Sequence, residues 1–148
     1  MRYRLHGRSG LRVSELCLGT MTFGEGASWS ADAAESRAMF DLFAEAGGTF
    51  IDTAHMYMGG ESERLVGDFI RADREHFVVA TKYTPDAGPD ISRSGNSRKV
   101  MRRCVEESLA RLGTDHIDLY LLHYWDGTTP IEEIMRGLDD LVSAGKVT

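Results

Sequence analysis

The run Phe77-Val78-Val79-Ala80-Thr81-Lys82 is almost continuously apolar and ends in a charged residue. An uninterrupted apolar run of this length is typical of a strand that is buried on both faces of a parallel sheet. Similar runs occupy residues 16–21, 49–53 and 117–123, and a helical pattern of apolar residues follows each of the four. Four strand–helix units in succession predict a parallel sheet covered by helices.

Capping signals bound the predicted helices. We predict a first helix over 31–46 with Ser30 as its N-cap, and a third helix over 97–112. The last helix carries a capping-box pattern, in which Thr129 is the N-cap residue and Glu132 follows three residues later.

The composition is that of a globular protein. The chain has 148 residues, of which 42% are hydrophobic and 27% charged, and a net charge of −6. Nucleic-acid binding is not expected, because non-specific binders concentrate Lys and Arg. No run is long enough to cross a bilayer and no secretory signal follows Met1, so we expect a cytoplasmic protein with no membrane partner. Cys17 and Cys104 are expected to be buried thiols.

Two architectures repeat strand–helix units, the doubly wound sheet and the closed barrel. A dinucleotide-binding doubly wound unit carries G-x-G-x-x-G between its first strand and helix. Gly19, Gly24 and Gly26 do not have this spacing, and the loop that contains them is too long. We therefore favour an α/β fold of the TIM-barrel type, (β/α)₈, whose chemistry lies at the carboxyl ends of its strands.

Four chemically active side chains follow the predicted strands. Asp52, Lys82 and His123 lie at the ends of the second, third and fourth strands, and Tyr57 lies five residues beyond Asp52. Each alone has an ordinary structural explanation, as a turn cap, a surface charge, a hydrogen-bonded histidine or a packed tyrosine. Because the carboxyl ends of parallel strands meet at one rim, we expect the four side chains to converge there.

A carboxylate, an ammonium, a phenol and an imidazole at one rim form an acid site. A phenol is a weak proton donor at neutral pH, but an adjacent ammonium stabilises the phenolate that remains after donation. The carboxylate holds the ammonium in place, and the imidazole can orient a carbonyl oxygen. Such a site protonates the alkoxide that forms when a carbonyl carbon receives a hydride, and a nicotinamide cofactor has to supply that hydride.

With these residues in view, the sequence resembles the aldo-keto reductase family over essentially its whole length. The matching stretches are 18–21, 50–57, 80–82, 108–115, 117–123 and 144–147. Within the family, Gly59-Gly60 and the stretch 96–99 look like bacterial reductases allied to potassium-channel β-subunits.

The resemblance implies NADP(H)-dependent reduction of aldehydes and ketones. It implies that Tyr57 is the general acid, that Lys82 and Asp52 assist it, and that His123 orients the substrate. The residues implied at the cofactor are Gly19, Thr20, Met21 and Asp52. Because aromatic side chains lie in loops near the predicted rim, we predict contacts with an apolar or aromatic carbonyl substrate from Trp29, Tyr57, His123 and Tyr124.

The length predicts half of a barrel. A closed barrel takes about 250 residues, so the resemblance implies a capping hairpin over 1–15 and four strand–helix units over 16–148, the N-terminal half. We expect carbonyl reduction to need the other half, which in the family holds most of the cofactor pocket. An open half-barrel exposes two strand edges and an apolar inner face. Part of a longer reductase, a natural truncation and self-association of half-barrels are the alternatives.

Two other functions compete with carbonyl reduction. The first is a catalytically inactive, reductase-like module that binds or regulates protein partners, and the presence of all four catalytic-type residues weighs against it. The second is a metal enzyme, which we do not expect because the five histidines include no metal-binding spacing and there is no C-x-x-C.

Overall fold

The computed structural model describes residues 1–84 and 90–148. The strands are β1 Tyr3–Leu5, β2 Arg12–Ser14, β3 Cys17–Gly19, β4 Phe50–Asp52, β5 Val78–Tyr83 and β6 Leu119–Leu122. The helices are α1 Ala33–Glu45, α2 Glu61–Ile70, α3 Arg98–Leu112 and α4 Ile131–Ser143. Short 3₁₀ turns cover Tyr57–Gly60, Arg71–His76 and Ile91–Arg93. Within the described ranges, none of the helices combines the length and the apolarity needed to cross a bilayer.

The four predicted strand–helix units form one parallel sheet. Its strand order is β3-β4-β5-β6, and every neighbouring pair is parallel. Sequential order with helical crossovers is the arrangement of a barrel segment, whereas a doubly wound sheet reverses its order at a switch point. The α/β fold and the barrel-type architecture expected from the sequence are confirmed.

The helices cover one face of this sheet. Alternate strand residues belong to one hydrophobic core with apolar residues of α2, α3 and α4. The strand residues in that core or packed against it are Leu18, Ile51, Val79, Tyr83, Tyr120 and Leu122. Because successive side chains of a strand point to opposite faces, the residues between them, including Asp52 and Lys82, lie on the face that the helices leave open.

Cys17 lies on that open face and corrects one sequence expectation. Its side chain is exposed, and only Cys104 is buried as expected. The difference arises because β3 is an edge strand of the described sheet and the helices pack on the side of Leu18. Partial desolvation at the sheet raises the pKa of the Cys17 thiol to about 11, with Asp52 adding to the rise and Lys82 opposing it.

The N-terminal hairpin lies at the amino ends of the strands. β1 and β2 pair antiparallel, with Tyr3 opposite Ser14. The Ser14 hydroxyl accepts hydrogen bonds from the Thr49 and Phe50 N–H groups at 3.0 and 3.1 Å, and Thr49 and Phe50 lie where β4 begins. The hairpin therefore sits at the end of the sheet opposite the rim, and its role as a cap for a closed barrel stays a prediction.

Two helix starts differ from the sequence expectation. The N-cap of α1 is Asp32, whose carboxylate accepts from the Glu35 N–H at 2.8 Å, while the Ser30 hydroxyl donates to the Ala27 carbonyl. At α4 the Thr129 hydroxyl donates to Asp126 at 2.7 Å, so it does not cap the helix. At α1 an aspartate, a stronger acceptor than a neutral oxygen, takes the role that the pattern gave to a hydroxyl. At α4 Asp126 engages the Thr129 hydroxyl instead, and no side chain caps the helix.

Candidate active site

The four predicted active residues lie at the carboxyl end of the sheet. Asp52 ends β4, Lys82 is the penultimate residue of β5, and His123 follows β6 directly. Tyr57 begins the 3₁₀ turn that leads into α2. The structure therefore brings to one rim the residues that the sequence places at successive strand ends.

Lys82 is the centre of the arrangement. Its ammonium donates to the Asp52 carboxylate at 2.7 Å and to the carbonyl of Thr53 at 2.8 Å. The same nitrogen lies 3.3 Å from the Tyr57 hydroxyl and 4.9 Å from the centre of the Tyr57 ring. Its side chain is only 14% exposed, so the ion pair and the contact with the phenol are partly shielded from water.

His123 and Tyr124 extend the site from the next strand. The His123 ring meets the Tyr57 ring edge to face, with the ring centres 5.7 Å apart. Its backbone N–H donates to the carbonyl of Tyr83, which fixes the start of the loop after β6. The Tyr124 ring lies 5.9 Å from the His123 ring and is nearly half exposed. An imidazole and an accessible aromatic ring therefore lie beside the phenol.

The loop that carries Tyr57 has an unusual backbone. Met58, Gly59 and Gly60 have φ values of 47°, 64° and 92°, all in the left-handed region. Glycine adopts this conformation freely, but a residue with a Cβ does so at a cost of about 1–2 kcal/mol. Of the three, only Met58 is therefore strained, and strain of this kind persists only where the surrounding contacts hold it in place.

Three buried hydroxyl groups lie beneath the ends of β3 and β4. The Ser62 hydroxyl at the start of α2 donates to the Thr20 carbonyl at 2.7 Å and lies 2.8 and 2.9 Å from the hydroxyls of Thr20 and Thr53. Thr20 also donates to the carbonyl of Asp52. All three hydroxyl residues are fully buried. This cluster fixes the strand end that presents Asp52, and the sequence reasoning did not include Ser62.

The residues predicted at the cofactor fall into two groups. Gly19 pairs with Asp52 across the strands, and a Cβ at Gly19 would meet no atom of the described residues within 4 Å. Met21 is half exposed at the same rim. Thr20 is fully buried and its hydroxyl is engaged inside the protein. Among the described residues, open space therefore lies next to Asp52 and Gly19, and the cofactor contacts of Gly19, Thr20, Met21 and Asp52 all stay predictions.

Of the predicted substrate residues, Trp29 stands apart. It lies in the loop between β3 and α1 and is 58% exposed. In the part of the chain that the structure describes, it forms no hydrogen bond or ring contact with the four active residues. Its predicted contact with substrate stays a prediction.

The sequence did not lead us to predict a buried ion-pair network that contacts the loop of Tyr57. Glu63 of α2 is fully buried and pairs with Arg111 of α3 at 3.1 Å. Arg111 also donates to the carbonyl of His55 at 2.8 Å. The signal was present, because Glu63 lies three residues before Val66 and seven before Ile70 and therefore shares their buried helix face.

Asp126 ties together the loops that follow β5 and β6. Its carboxylate accepts hydrogen bonds from the N–H groups of Asn96, Thr128 and Thr129 at 2.8, 2.8 and 2.7 Å. Desolvation acts to raise the pKa of Asp126, but these bonds and the Thr129 hydroxyl outweigh it and hold that pKa far below its usual value. Asn96 in turn donates to the carbonyl of Tyr124. The loop that carries Tyr124 is therefore anchored by a carboxylate that stays ionised.

Asp126→Asn is expected to reduce the loss of stability in acid. Because the folded pKa lies below the unfolded value, the carboxylate stabilises the native state at neutral pH, and this contribution disappears as the pH falls through and below the usual aspartate value of 3.8. Urea unfolding at neutral pH and at about pH 3 should show a smaller acid loss in the variant than in the wild type. Asp139→Asn, at an exposed position of α4, should behave like the wild type, and equal acid losses in all three proteins would contradict the assignment.

The side chains that the structure describes do not include a candidate metal site. Over residues 1–84 and 90–148, no three His, Cys, Asp or Glu residues gather in a way that could hold an ion. The His55 ring is instead hydrogen-bonded to the Glu107 carboxylate at 2.6 Å.

Comparison with known proteins supplies the family context. A family model described as the Aldo/keto reductase family matches residues 15–148. The chain is 47% identical to a norsolorinic acid reductase of Aspergillus flavus, over 97% of this chain and 40% of that protein. It is 39% identical to an aryl-alcohol dehydrogenase (NADP(+)) of Phanerodontia chrysosporium, over 93% of this chain and 40% of that protein.

A solved structure is similar as well. The aldo-keto reductase AKR11C1 from Bacillus halodurans, in its holo form, has a TM-score of 0.87 and 32% sequence identity, over 99% of this chain and 48% of that one. The chain thus spans about two fifths of these curated relatives and about half of the solved chain. The expected similarity to reductases allied to channel β-subunits stays a prediction.

Proposed function

The chain belongs to the aldo/keto reductase family, and from this premise we propose that its protein reduces aldehydes or ketones to alcohols with NADP(H), using Tyr57 as the proton donor. Family membership supports oxidoreductase chemistry in general. The cofactor preference, the role of Tyr57 and the substrate class are our proposal. We assign the activity to the longest natural protein that contains these 148 residues.

The observation that carries the proposal is the position of Lys82 between a carboxylate and a phenol. Reduction leaves negative charge on the former carbonyl oxygen, which then needs a proton. When Tyr57 gives up its proton, the phenolate is left 3.3 Å from the Lys82 ammonium, which stabilises it electrostatically. Asp52, at 2.7 Å, holds the ammonium in place beside the phenol, where its positive charge favours donation of the phenol proton.

His123 is proposed to orient the substrate. Its ring lies beside Tyr57, so a carbonyl oxygen next to the phenol is within reach of an imidazole N–H. A hydrogen bond to that oxygen polarises the carbonyl and strengthens as negative charge develops during reduction. Two donors on one oxygen also fix which face of the carbonyl is attacked.

The residues at the rim fit a nicotinamide nucleotide. When bound, the cofactor supplies the hydride that the carbonyl carbon receives. Asp52 binds Lys82 through one oxygen and keeps its side chain 34% exposed, so it retains acceptor capacity for ribose hydroxyls. Gly19 leaves open space beside it and Met21 offers an exposed apolar surface. The relative whose name specifies NADP(+) supports our choice of NADP over NAD.

An aromatic carbonyl compound is the proposed substrate class. Tyr124 is 46% exposed beside His123, and Trp125 is 59% exposed next to it in the chain. Aromatic rings of this kind stack favourably on a planar substrate. A relative named aryl-alcohol dehydrogenase supports this choice. We further propose a cytoplasmic location, as expected for a reductase that uses free nicotinamide nucleotide.

Deuterium transfer tests the proposed reaction. With an aromatic aldehyde and NADPH labelled at the reactive C4 position, the alcohol should carry one deuterium at its former carbonyl carbon, and turnover should be faster than with NADH. An alcohol without deuterium would contradict hydride transfer. Absence of both NADPH binding and turnover of any aldehyde would favour the alternative of a catalytically inactive module.

A further inference from the structure

Arg111 spans the loop that carries the proposed acid. Its guanidinium donates to the carbonyl of His55 at 2.8 Å. At the other end of the loop, a Cβ added to Gly60 would lie 2.6 Å from the centre of the same guanidinium. Tyr57 lies between these two contacts. A single planar group therefore supports the loop from beneath at both of its ends.

Glu63 connects Arg111 to the strand of Lys82. One carboxylate oxygen of Glu63 pairs with Arg111 at 3.1 Å, and the other accepts from the Thr81 hydroxyl at 2.7 Å. Thr81 directly precedes Lys82 in β5. The chain of contacts runs from the loop of Tyr57, through Arg111 and Glu63, to the strand that presents the ammonium.

Glu107 contacts the same loop at a second point. Its carboxylate bonds to the His55 ring at 2.6 Å and lies 3.8 Å from Arg111. Partial burial acts to raise the pKa of Glu107, but the His55 hydrogen bond and the charges of His55, Arg103 and Arg111 outweigh it and lower that pKa. His55 is thus held through its backbone by Arg111 and through its ring by Glu107.

The burial of Glu63 and Arg111 indicates that their ion pair positions neighbouring groups rather than stabilising the fold. Glu63 is fully buried and the Arg111 side chain is 19% exposed, and taking two charges out of water costs about as much as their attraction returns. A well-packed apolar pair could stabilise the fold equally well. Unlike an apolar pair, an ion pair holds its partners at fixed distances and in fixed directions, because a guanidinium forms hydrogen bonds only in its own plane.

We propose that Arg111, held by Glu63 and Glu107, is a positioning residue that sets the approach of the Tyr57 hydroxyl to the Lys82 ammonium. The inference deepens the proposed function, because that approach is what makes the phenol an acid there. Arg111 acts through the backbone of the Tyr57 loop, which it contacts at the His55 carbonyl, and this role requires no contact with substrate or cofactor. The 3.3 Å separation of the two groups is the quantity it controls.

Arg111→Lys is the decisive variant, because it keeps the charge and removes the fork. Arg74→Lys is the matched control: Arg74 is 14% exposed, pairs with Asp118 at 2.6 Å and donates to the carbonyl of Phe77, near the start of β5. Both variants therefore lose the same kind of buried guanidinium fork, one beneath the Tyr57 loop and one at the far end of the sheet.

The readout is the ¹⁹F resonance of 3-fluorotyrosine at position 57, assigned by its disappearance in Tyr57→Phe and recorded in the longest natural protein that contains the chain. Arg111→Lys should shift or split this resonance and lower kcat for an aromatic aldehyde by about tenfold to a hundredfold, with KM changed by less than about threefold. Arg74→Lys should leave the resonance and kcat as in the wild type, even where it lowers the melting temperature equally.

An unmoved Tyr57 resonance in Arg111→Lys, or an equal displacement in Arg74→Lys, would overturn the proposal. The resonance reports on position whether or not the protein reduces carbonyls, so failure of the proposed function does not affect this result. If Arg111→Lys does not fold, Glu107→Gln takes its place, because that side chain is 39% exposed. It should give a smaller shift of the same resonance, and no shift would contradict the role of the network.

Discussion

Tyr57→Phe is expected to lower the turnover of an aromatic aldehyde by about 10²–10⁴-fold, the range that a lost general acid produces. The variant keeps the ring, and with it the edge contact with His123 and the position of the Lys82 ammonium 4.9 Å from the ring centre. It removes only the hydroxyl that donates the proton. Cofactor affinity and the melting temperature should therefore stay close to those of the wild type, while kcat falls.

Tyr3→Phe provides the control for this measurement. Tyr3 is exposed in β1, and its hydroxyl donates to the carbonyl of Gly47 at 2.9 Å, away from the rim. Its loss should leave kcat within about twofold of the wild type, as for a surface change far from the reacting groups. Turnover by Tyr57→Phe at the rate of the Tyr3→Phe control would remove Tyr57 from the acid role and with it the mechanism proposed above.

Gly67→Ala is expected to lower the free energy of unfolding by about 2 kcal/mol or more. Alanine is favoured over glycine within a helix by about 1 kcal/mol, which alone would stabilise α2. A Cβ at position 67 would, however, lie 2.5 Å from the carbonyl oxygen of Leu112 at the end of α3. This neighbour is backbone, so the two helices have to separate, and the packing loss exceeds the helix-propensity gain.

Urea unfolding of Gly67→Ala and Gly10→Ala checks this expectation. A Cβ at Gly10 would meet no atom within 4 Å in the part of the chain that the structure describes, and the residue lies in the hairpin turn. That control should change the free energy of unfolding by less than about 1 kcal/mol. A Gly67→Ala protein as stable as the wild type would mean that α2 and α3 are less closely packed than the structure shows.

The fold was largely accessible from the sequence because strand burial leaves a strong pattern. The run from Phe77 to Ala80 has no polar interruption, and all four of its side chains are buried, those on both faces of β5 included. The exposure of Cys17 was not accessible in the same way. Whether a strand residue is buried depends on which elements lie opposite, and residue alternation along β3 does not reveal that.

The site was predictable to the extent that it follows strand ends. Asp52, Lys82 and His123 could be placed on one rim because parallel strands share a direction, and Tyr57 because its loop is short. The ion-pair network of Arg111 could not be predicted from the positions of strand ends. A contact between the last turn of α3 and the carbonyl of His55 joins residues 56 positions apart, and only the packing of two helices determines it. The roles of the site residues stay predictions until the variants are measured.

The three left-handed residues after Tyr57 restrict how this protein could be engineered. Gly60 combines a φ of 92° with a guanidinium where its side chain would be, and Met58 already carries the cost of a positive φ. A mutant library aimed at new substrates would therefore lose most of its members if it randomised this segment. Diversity is better tolerated around Tyr124 and Trp125, whose side chains face water, so selectivity can evolve there while the proton donor keeps its place.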